Sequence, residues 1–486
     1  MNAQLVRRTD ILLRPDPQRV LIRFFAPGSS DRIERVISRV LTLDDQQVEE
    51  ELNAVFTSFQ ARHKNLEEIF LKHYRNVRPY LISDLEPNNK KKLLIGAYFT
   101  SEYAVESAAL FNPSIVEHPD QSDLKEGQLR FILSMRAIGE GHLSSIVFQT
   151  GVLDQNGDFT LDRISQHVHL PEVIWNTMFE KVRFAAKLAE MDRENNITRE
   201  ILSHLGETFT FEELKNRIER AKEYTIKQDR IFRETIKALF WLAESNYEIR
   251  FPENIPLSGR VIFPHSPTEQ RGIEDARFVK FAGDDGQTEY FATYTANEGS
   301  SFLPQLLRTQ NFAHFRFNTL VGRSVQNKGM ALFPRKIKGR YVMLSRQDNE
   351  NIFIMYSDHI FTWHEKKAVM KPSYTWEFIQ LGNCGSPLET EEGWLVITHG
   401  VGPMRRYCIG AILLDHDDPS RIIGRLKKPL IEPLENEREG YVPNVVYSCG
   451  SLIHGNFVVI PYAMSDYATS FALVDLDSLL KLLKKA

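Results

Sequence analysis

The sequence predicts a mainly β protein: a five-bladed β-propeller with an N-terminal helical layer and a helical insertion between blades 1 and 2. Three observations lead there. Five segments repeat one pattern, in which a small or polar cluster precedes an apolar strand, a polar turn and a second apolar strand. The last four segments start about 50 to 60 residues apart, close to the spacing of propeller blades. Two other blocks carry apolar residues at helical rather than strand spacing. A β-sandwich is the alternative, but its strands would not restart with the same motif five times.

Taken in order, Val20 to Phe25 is a short apolar run that reads as a strand, and Pro27-Gly28 breaks it. From Ile33 to Val77 the apolar residues recur every three or four positions, enough for two or three helices, and Asn88 to Lys92 reads as an exposed connection. The first repeat runs from Phe111-Asn112-Pro113 to Arg136. A helical block follows from Pro171, a residue suited to a first helical turn, to Ser245. The second repeat starts at Gly272-Ile273-Glu274-Asp275-Ala276-Arg277, the third at Lys328-Gly329-Met330, the fourth at Asn383-Cys384-Gly385 and the fifth at Val442-Pro443-Asn444. The expected division is 1–95 as an α-rich extension, 96–170 as blade 1, 171–247 as the insertion, 248–475 as blades 2 to 5 and 476–486 as a terminal helix.

Composition narrows the function without selecting one. The 486 residues are 42% hydrophobic and 26% charged, with a net charge of -4, which gives no bulk electrostatic case for nucleic acid. No run of about 18 apolar residues is present, so no membrane helix is expected. Met1 to Asp16 lacks the apolar stretch of a secretion signal, and Cys384, Cys408 and Cys449 are too few and too scattered for a disulfide framework. A cytoplasmic protein is the expectation. No metal or cofactor is called for by any spacing.

Equivalent strand ends of a propeller converge at one channel mouth, which turns the repeat into a site expectation. The polar residues at those ends are Asn112, Arg136, Glu274, Asp275, Arg277, Lys328, Arg346, Asn383, His399, Asn444 and Asp466. Carboxylates, guanidiniums and amides together suit a polyhydroxylated ligand such as a sugar. Asp275 is the candidate acid, because two adjacent carboxylates in a partly dry channel should raise at least one pKa, although Arg277 opposes this. A structural Asp–Arg pair is the plainer alternative. Lys328, Arg346 and His399 could together hold an anion such as phosphate, or Lys328 and Arg346 could each pair with a neighbouring carboxylate. Cys384 reads as a buried small residue, and Gly139-Glu140-Gly141-His142 as a tight turn that could overlie the site.

At these residues the sequence resembles glycoside hydrolase family 130, the β-mannoside phosphorylases and β-mannosidases. The resemblance spans roughly 108–170 and 250–475. It rests on Gly272 to Arg277, Leu332-Phe333-Pro334, Tyr341 to Arg346, Glu392-Gly393-Trp394-Leu395 with His399-Gly400, Leu414-Asp415 with Asp418-Pro419, and Glu439 to Val446. It implies a five-bladed propeller and a reaction with inversion. Asp275 would be the acid, acting through a sugar hydroxyl. Asn112, Arg136 and Asp466 would hold the mannosyl unit, with Glu274, Arg277, Asn383 and Tyr441 also on the substrate, and Lys328, Arg346 and His399 would bind phosphate.

Two departures stand out. Ala276 replaces the usual Pro, and Glu389 stands where phosphorylases commonly carry Lys. A carboxylate there would repel phosphate, or serve as general base if water attacked. The leading expectation is phosphorolysis of a β-mannoside oligosaccharide to mannose 1-phosphate, with inorganic phosphate as co-substrate and no cofactor. An inverting β-mannosidase using water and a non-catalytic sugar-binding propeller are the alternatives. The helical extensions would either cover the pocket or form a homo-oligomer interface.

Overall fold

A computed structural model of the chain describes residues 5–81, 86–175, 177–224, 229–299 and 301–485. These divide into a smaller compact unit, 16–105 with 165–169, and a larger unit containing the remainder.

Consecutive antiparallel strands dominate the larger unit. The first array contains Ala109–Glu117, Leu129–Ile138, Ser144–Leu153 and Phe159–Leu161. The second contains Gly272–Ala282, Thr288–Asn297, Phe302–Thr309 and His314–Thr319, and meets the first through one parallel pair, Gly272 with Ser144. The third contains Lys328–Leu332, Tyr341–Arg346, Ile352–Ser357 and Lys367–Met370. The fourth contains Gln380–Asn383, Gly393–Val401, Tyr407–Leu414 and Ile422–Arg425. The fifth contains Val446–Tyr447, Phe457–Met464 and Ala468–Asp475, and its outer strand is Val6–Arg8 from the other end of the chain. The inner strands are largely buried on both faces, as in Gly393–Val401, where every residue is buried.

The strand Val6–Arg8 takes the first residues out of the expected α-rich extension 1–95 and joins them to the larger unit. Val6 pairs with Val474 and Arg8 with Ala472, and Thr9 and Leu13 continue along Phe471 and Thr469, so this N-terminal segment covers the outer edge of Ala468–Asp475. Leu5 and Val6 pack on a core that includes Val458, Ile460, Ala472 and Val474. That same core buries Leu479, Leu480 and Leu483 of the terminal helix Leu476–Lys485.

The smaller unit contains helices Ser30–Leu41, Asp45–Phe59, Leu66–Val77 and Asn89–Tyr98, with a hairpin of Val20–Phe24 and Thr100–Ala104. Asp44 caps the second helix by accepting the Gln47 N–H at 2.8 Å. Asn88 likewise caps the fourth by accepting the Lys91 N–H at 2.9 Å, so Asn88 to Lys92 starts a helix rather than forming a connection. Gly96 is needed in that helix because a Cβ there would overlap the Phe70 carbonyl oxygen.

The insertion has helices Lys181–Glu190, Asn196–Ser203, Phe211–Tyr224 and Arg230–Glu244, closed around Phe184, Leu188, Ile201, Leu214, Ile218 and Leu239. Pro171 does not begin a helix. It precedes strands Glu172–Ile174 and Met178–Glu180, the first of them rich in β-branched residues. Glu172–Ile174 pairs with Tyr247–Arg250, which pairs with His314–Thr319, so both ends of the insertion are stitched onto the second array.

Candidate active site

The first strands of three arrays are interrupted at equivalent places. Register shifts occur between Phe111 and Ser114, between Glu274 and Arg277, and between Lys328 and Ala331. Within them Asn112, Asp275 and Gly329 adopt φ of 49°, 54° and 84°. A bulge with a left-handed residue breaks strand alternation and re-aims a side chain. Left-handed backbone in Asn and Asp is tolerated but uncommon, and recurs at functional sites.

These bulges direct Asn112, Asp275 and the neighbouring Lys328 into one cavity of about 270 Å³. Arg136, Arg346, Tyr441 and Asp466 line it too. The Asp275 carboxylate accepts the Asn112 amide at 2.6 Å and lies 3.5 Å from the Arg136 guanidinium. Beneath it, Glu274 accepts Arg136 at 2.9 Å and Lys328 at 2.7 Å, and so holds the two cations apart and in place.

The electrostatics differ from the sequence expectation. Burial raises the proton affinity of Asp275, but Arg136, Lys328, Arg277 and the Asn112 hydrogen bond outweigh it and hold the carboxyl below the usual range. Asp466 is the raised group. Its burial, reinforced by the charge of Asp275, pushes it up to about 7 against the opposing pull of Arg136 and Arg405. The site thus contains a carboxylate that is charged at neutrality and a carboxyl that can carry a proton there.

Besides Glu274 and Asn444, four expected residues lie outside the cavity lining. Arg277 is buried and donates to the Tyr447 hydroxyl at 2.8 Å, forming part of the floor. His399 is buried below Arg346, 3.2 Å from its guanidinium. Burial, with Arg346 and Arg277 nearby, drives its pKa well below the ordinary value, so it is a neutral acceptor that orients Arg346 rather than a third cation. Asn383 is fully buried and donates to the Gly385 carbonyl at 3.2 Å. Glu389 is not at this site. It lies on another surface, accepting Arg335 Nε at 2.9 Å with His416 also 2.9 Å away, so it neither repels an anion in this cavity nor serves as its general base. Cys384 is buried as expected, and burial pushes its thiol up to about 12.

Sequence reasoning missed Arg405, Tyr407 and Tyr447, which line the cavity, and weighed the turn containing His142 mainly as a turn. His142 stacks near Tyr441 with ring centroids 5.9 Å apart at the rim. The sequence signal for Arg405 is the turn Gly402-Pro403-Met404-Arg405 just after His399-Gly400-Val401; in the structure Met404 and Arg405 both have positive φ. Buried Arg136 Nε, Arg346 Nε and Asn112 Oδ1 have no hydrogen-bond partner beside the cavity. Among the described residues, no group of three or more His, Cys, Asp or Glu is arranged to hold a metal ion.

Residues 232–485 match the family model of glycoside hydrolase family 130, described as beta-1,4-mannooligosaccharide phosphorylase. The chain is 36% identical over 217 residues to a 1,2-beta-oligomannan phosphorylase of Thermoanaerobacter sp. (strain X514), covering 43% of this chain and 71% of that one. It is 34% identical over 220 residues to a beta-1,2-mannobiose phosphorylase of the same organism, covering 44% and 70%. Among solved structures, a beta-1,2-mannobiose phosphorylase from Listeria innocua in complex with beta-1,2-mannobiose aligns with a TM-score of 0.47 and 20% identity, over 79% of this chain and 94% of that one.

Proposed function

The chain belongs to glycoside hydrolase family 130, and from that premise we propose that it cleaves β-mannosides by phosphorolysis with inversion, releasing mannose 1-phosphate. The observation that carries this reading is the placement of Asp275 in one cavity with Lys328 and Arg346. An acid and an anion-binding pair on either side of a sugar are the parts that phosphorolysis requires. The mannoside phosphorylases among its relatives support the substrate class.

In this reading the five antiparallel arrays are propeller blades, and Val6–Arg8 closes the last of them. Asn112, Arg136 and Asp466 hold the mannosyl unit. Phosphate sits against Lys328 and Arg346, with His399 orienting the arginine from below. A phosphate oxygen attacks the anomeric carbon as the glycosidic C–O bond breaks on the opposite face. The leaving oxygen takes its proton from Asp275 through a mannosyl hydroxyl. Phosphate is already a nucleophilic anion and needs no enzymic base.

Bound phosphate also addresses the charge of Asp275. Lys328 and Arg136 favour its ionised form. A dianion beside Lys328 offsets that cation and makes protonation of Asp275 easier, so binding the co-substrate helps load the acid. The three cysteines are free and buried, which fits a cytoplasmic setting, and among the described residues no helix is long and apolar enough to cross a membrane.

The test is to incubate β-1,2- and β-1,4-mannobiose with the enzyme, with and without phosphate, alongside Asp275→Asn. Phosphate-dependent cleavage that is lost in the variant, with folding unchanged, is the expected result. Wild-type turnover by Asp275→Asn would refute the acid assignment.

A further inference from the structure

The helical insertion bonds to Glu298, which directly follows strand Thr288–Asn297 of the second array. Strands Thr288–Asn297 and Phe302–Thr309 are joined at 298–301, and Asn297 and Phe302 face each other across the pair. Within the turn, the Glu298 N–H donates to the Ser301 carbonyl at 3.2 Å. The Glu298 carboxylate has two partners. One oxygen accepts the Ser301 hydroxyl at 2.9 Å, and the other accepts the indole N–H of Trp241, on insertion helix Arg230–Glu244, at 3.0 Å.

The turn in turn reaches the cations. Asn297 accepts the Gly299 N–H at 2.9 Å through its amide oxygen and donates its amide N–H to Glu274 at 2.9 Å. Glu274 accepts Lys328 through its other oxygen at 2.7 Å. The Lys328 ammonium also lies 3.9 Å from the centre of the Phe302 ring. Both ends of the turn therefore act on Lys328: Asn297 through Glu274, and Phe302 by a direct cation–π contact. Arg136 shares the Glu274 oxygen that Asn297 uses, but does not depend on Phe302.

We infer that the insertion is a positioning element for the anion end of the site, with Trp241 and Glu298 fixing the turn that holds Lys328 through Asn297, Glu274 and Phe302. This rests on the phosphorolytic reading, in which Lys328 binds phosphate. Trp241 and Glu298 touch no substrate; they are positioning residues. A bare tether would give a different result, because weakening it would lower stability and move all kinetic constants together.

The experiment compares Trp241→Phe, which keeps an aromatic ring and removes the donor, with Glu298→Ala and Glu298→Gln. KM for inorganic phosphate, KM for mannobiose, kcat and Tm are measured for each. Trp241→Phe and Glu298→Ala are expected to raise the phosphate KM about three- to tenfold, the factor from partial loss of one charge-assisted hydrogen bond. Mannobiose KM and kcat should move less than the phosphate KM, because Arg136 shares the Glu274 oxygen with Asn297 but lacks the Phe302 contact that also holds Lys328. Glu298→Gln keeps an acceptor for Trp241 and should restore the phosphate KM. The double variant Trp241→Phe/Glu298→Ala should be no worse than either single one, because both break the same link. An unchanged phosphate KM in a phosphate-dependent enzyme, or a fall in Tm with equal shifts in every constant, would overturn the inference. A wild-type enzyme that cleaves mannobiose without phosphate would instead overturn the reading beneath it.

Discussion

Asp466 should make the native protein less stable at high pH, and Asp466→Asn should remove that effect. Asp466 takes its proton at about pH 7 in the fold against 3.8 as the ordinary value. Between those two values the unfolded chain has released this proton while the native site still holds it. Stability contributed by this group therefore falls as pH rises from about 4 to 7, and the loss is complete above the folded pKa. A shift of that size corresponds to about 4 kcal/mol at about 1.4 kcal/mol per unit. The side chain is only part-buried against an open cavity, so screening should leave about 2 kcal/mol of it. The φ of Asp466 is 50°, a conformation Asn adopts as readily, so the substitution adds no backbone strain. Thermal melts of both proteins at pH 5 and pH 8.5 should show the variant gaining a few degrees at the higher pH and much less at the lower. Its turnover should fall sharply, because Asp466 is placed on the mannosyl unit: stability would be gained where function is lost. A variant with equal or lower Tm at pH 8.5, and the same pH dependence as wild type, would refute the reasoning.

Other outcomes follow from the placement of single residues. Glu389→Gln should leave kcat and both KM values within about twofold, and cost less than about 1 kcal/mol, since its pairing with Arg335 is at the surface; abolished activity in steady-state assays would contradict its exclusion from the site. Removing residues 1–8 should lower Tm by several degrees and promote aggregation seen by light scattering, because it uncovers Ala472 to Val474 at the edge of Ala468–Asp475. An unaffected melt would show that this edge does not need its partner. Arg346→Ala should raise phosphate KM at least tenfold, as loss of a charge-assisted contact does, while leaving mannobiose KM nearly unchanged.

What was legible in the sequence was what repeats. The polar clusters opening three of the segments mark strands whose bulges carry Asn112 and Asp275 and flank Lys328, and the repeat brings these residues to one cavity. What was not legible depends on contacts far apart in the chain. Val6–Arg8 is too short to show periodicity, and its partner lies at the opposite terminus. Glu389 was placed by alignment with a lysine position, but its strand Leu388–Thr390 pairs with Gly393–Leu395 at the far end from His399, and its side chain meets Arg335. Adjacent acids signalled a raised pKa, yet sequence could not weigh three nearby cations against burial at Asp275, nor show that burial wins at Asp466. His399 was read as a donor because burial beside two guanidiniums cannot be seen in a strand pattern.

The product formed at the first turnovers tests the central claim most directly. Mannobiose would be added to the enzyme in phosphate buffer and in phosphate-free buffer, with the anomeric and phosphorus signals followed by NMR. α-Mannose 1-phosphate should appear at once, in step with loss of the β-linkage, and cleavage should stop when phosphate is withheld. Free mannose released at the same rate in both buffers would contradict it.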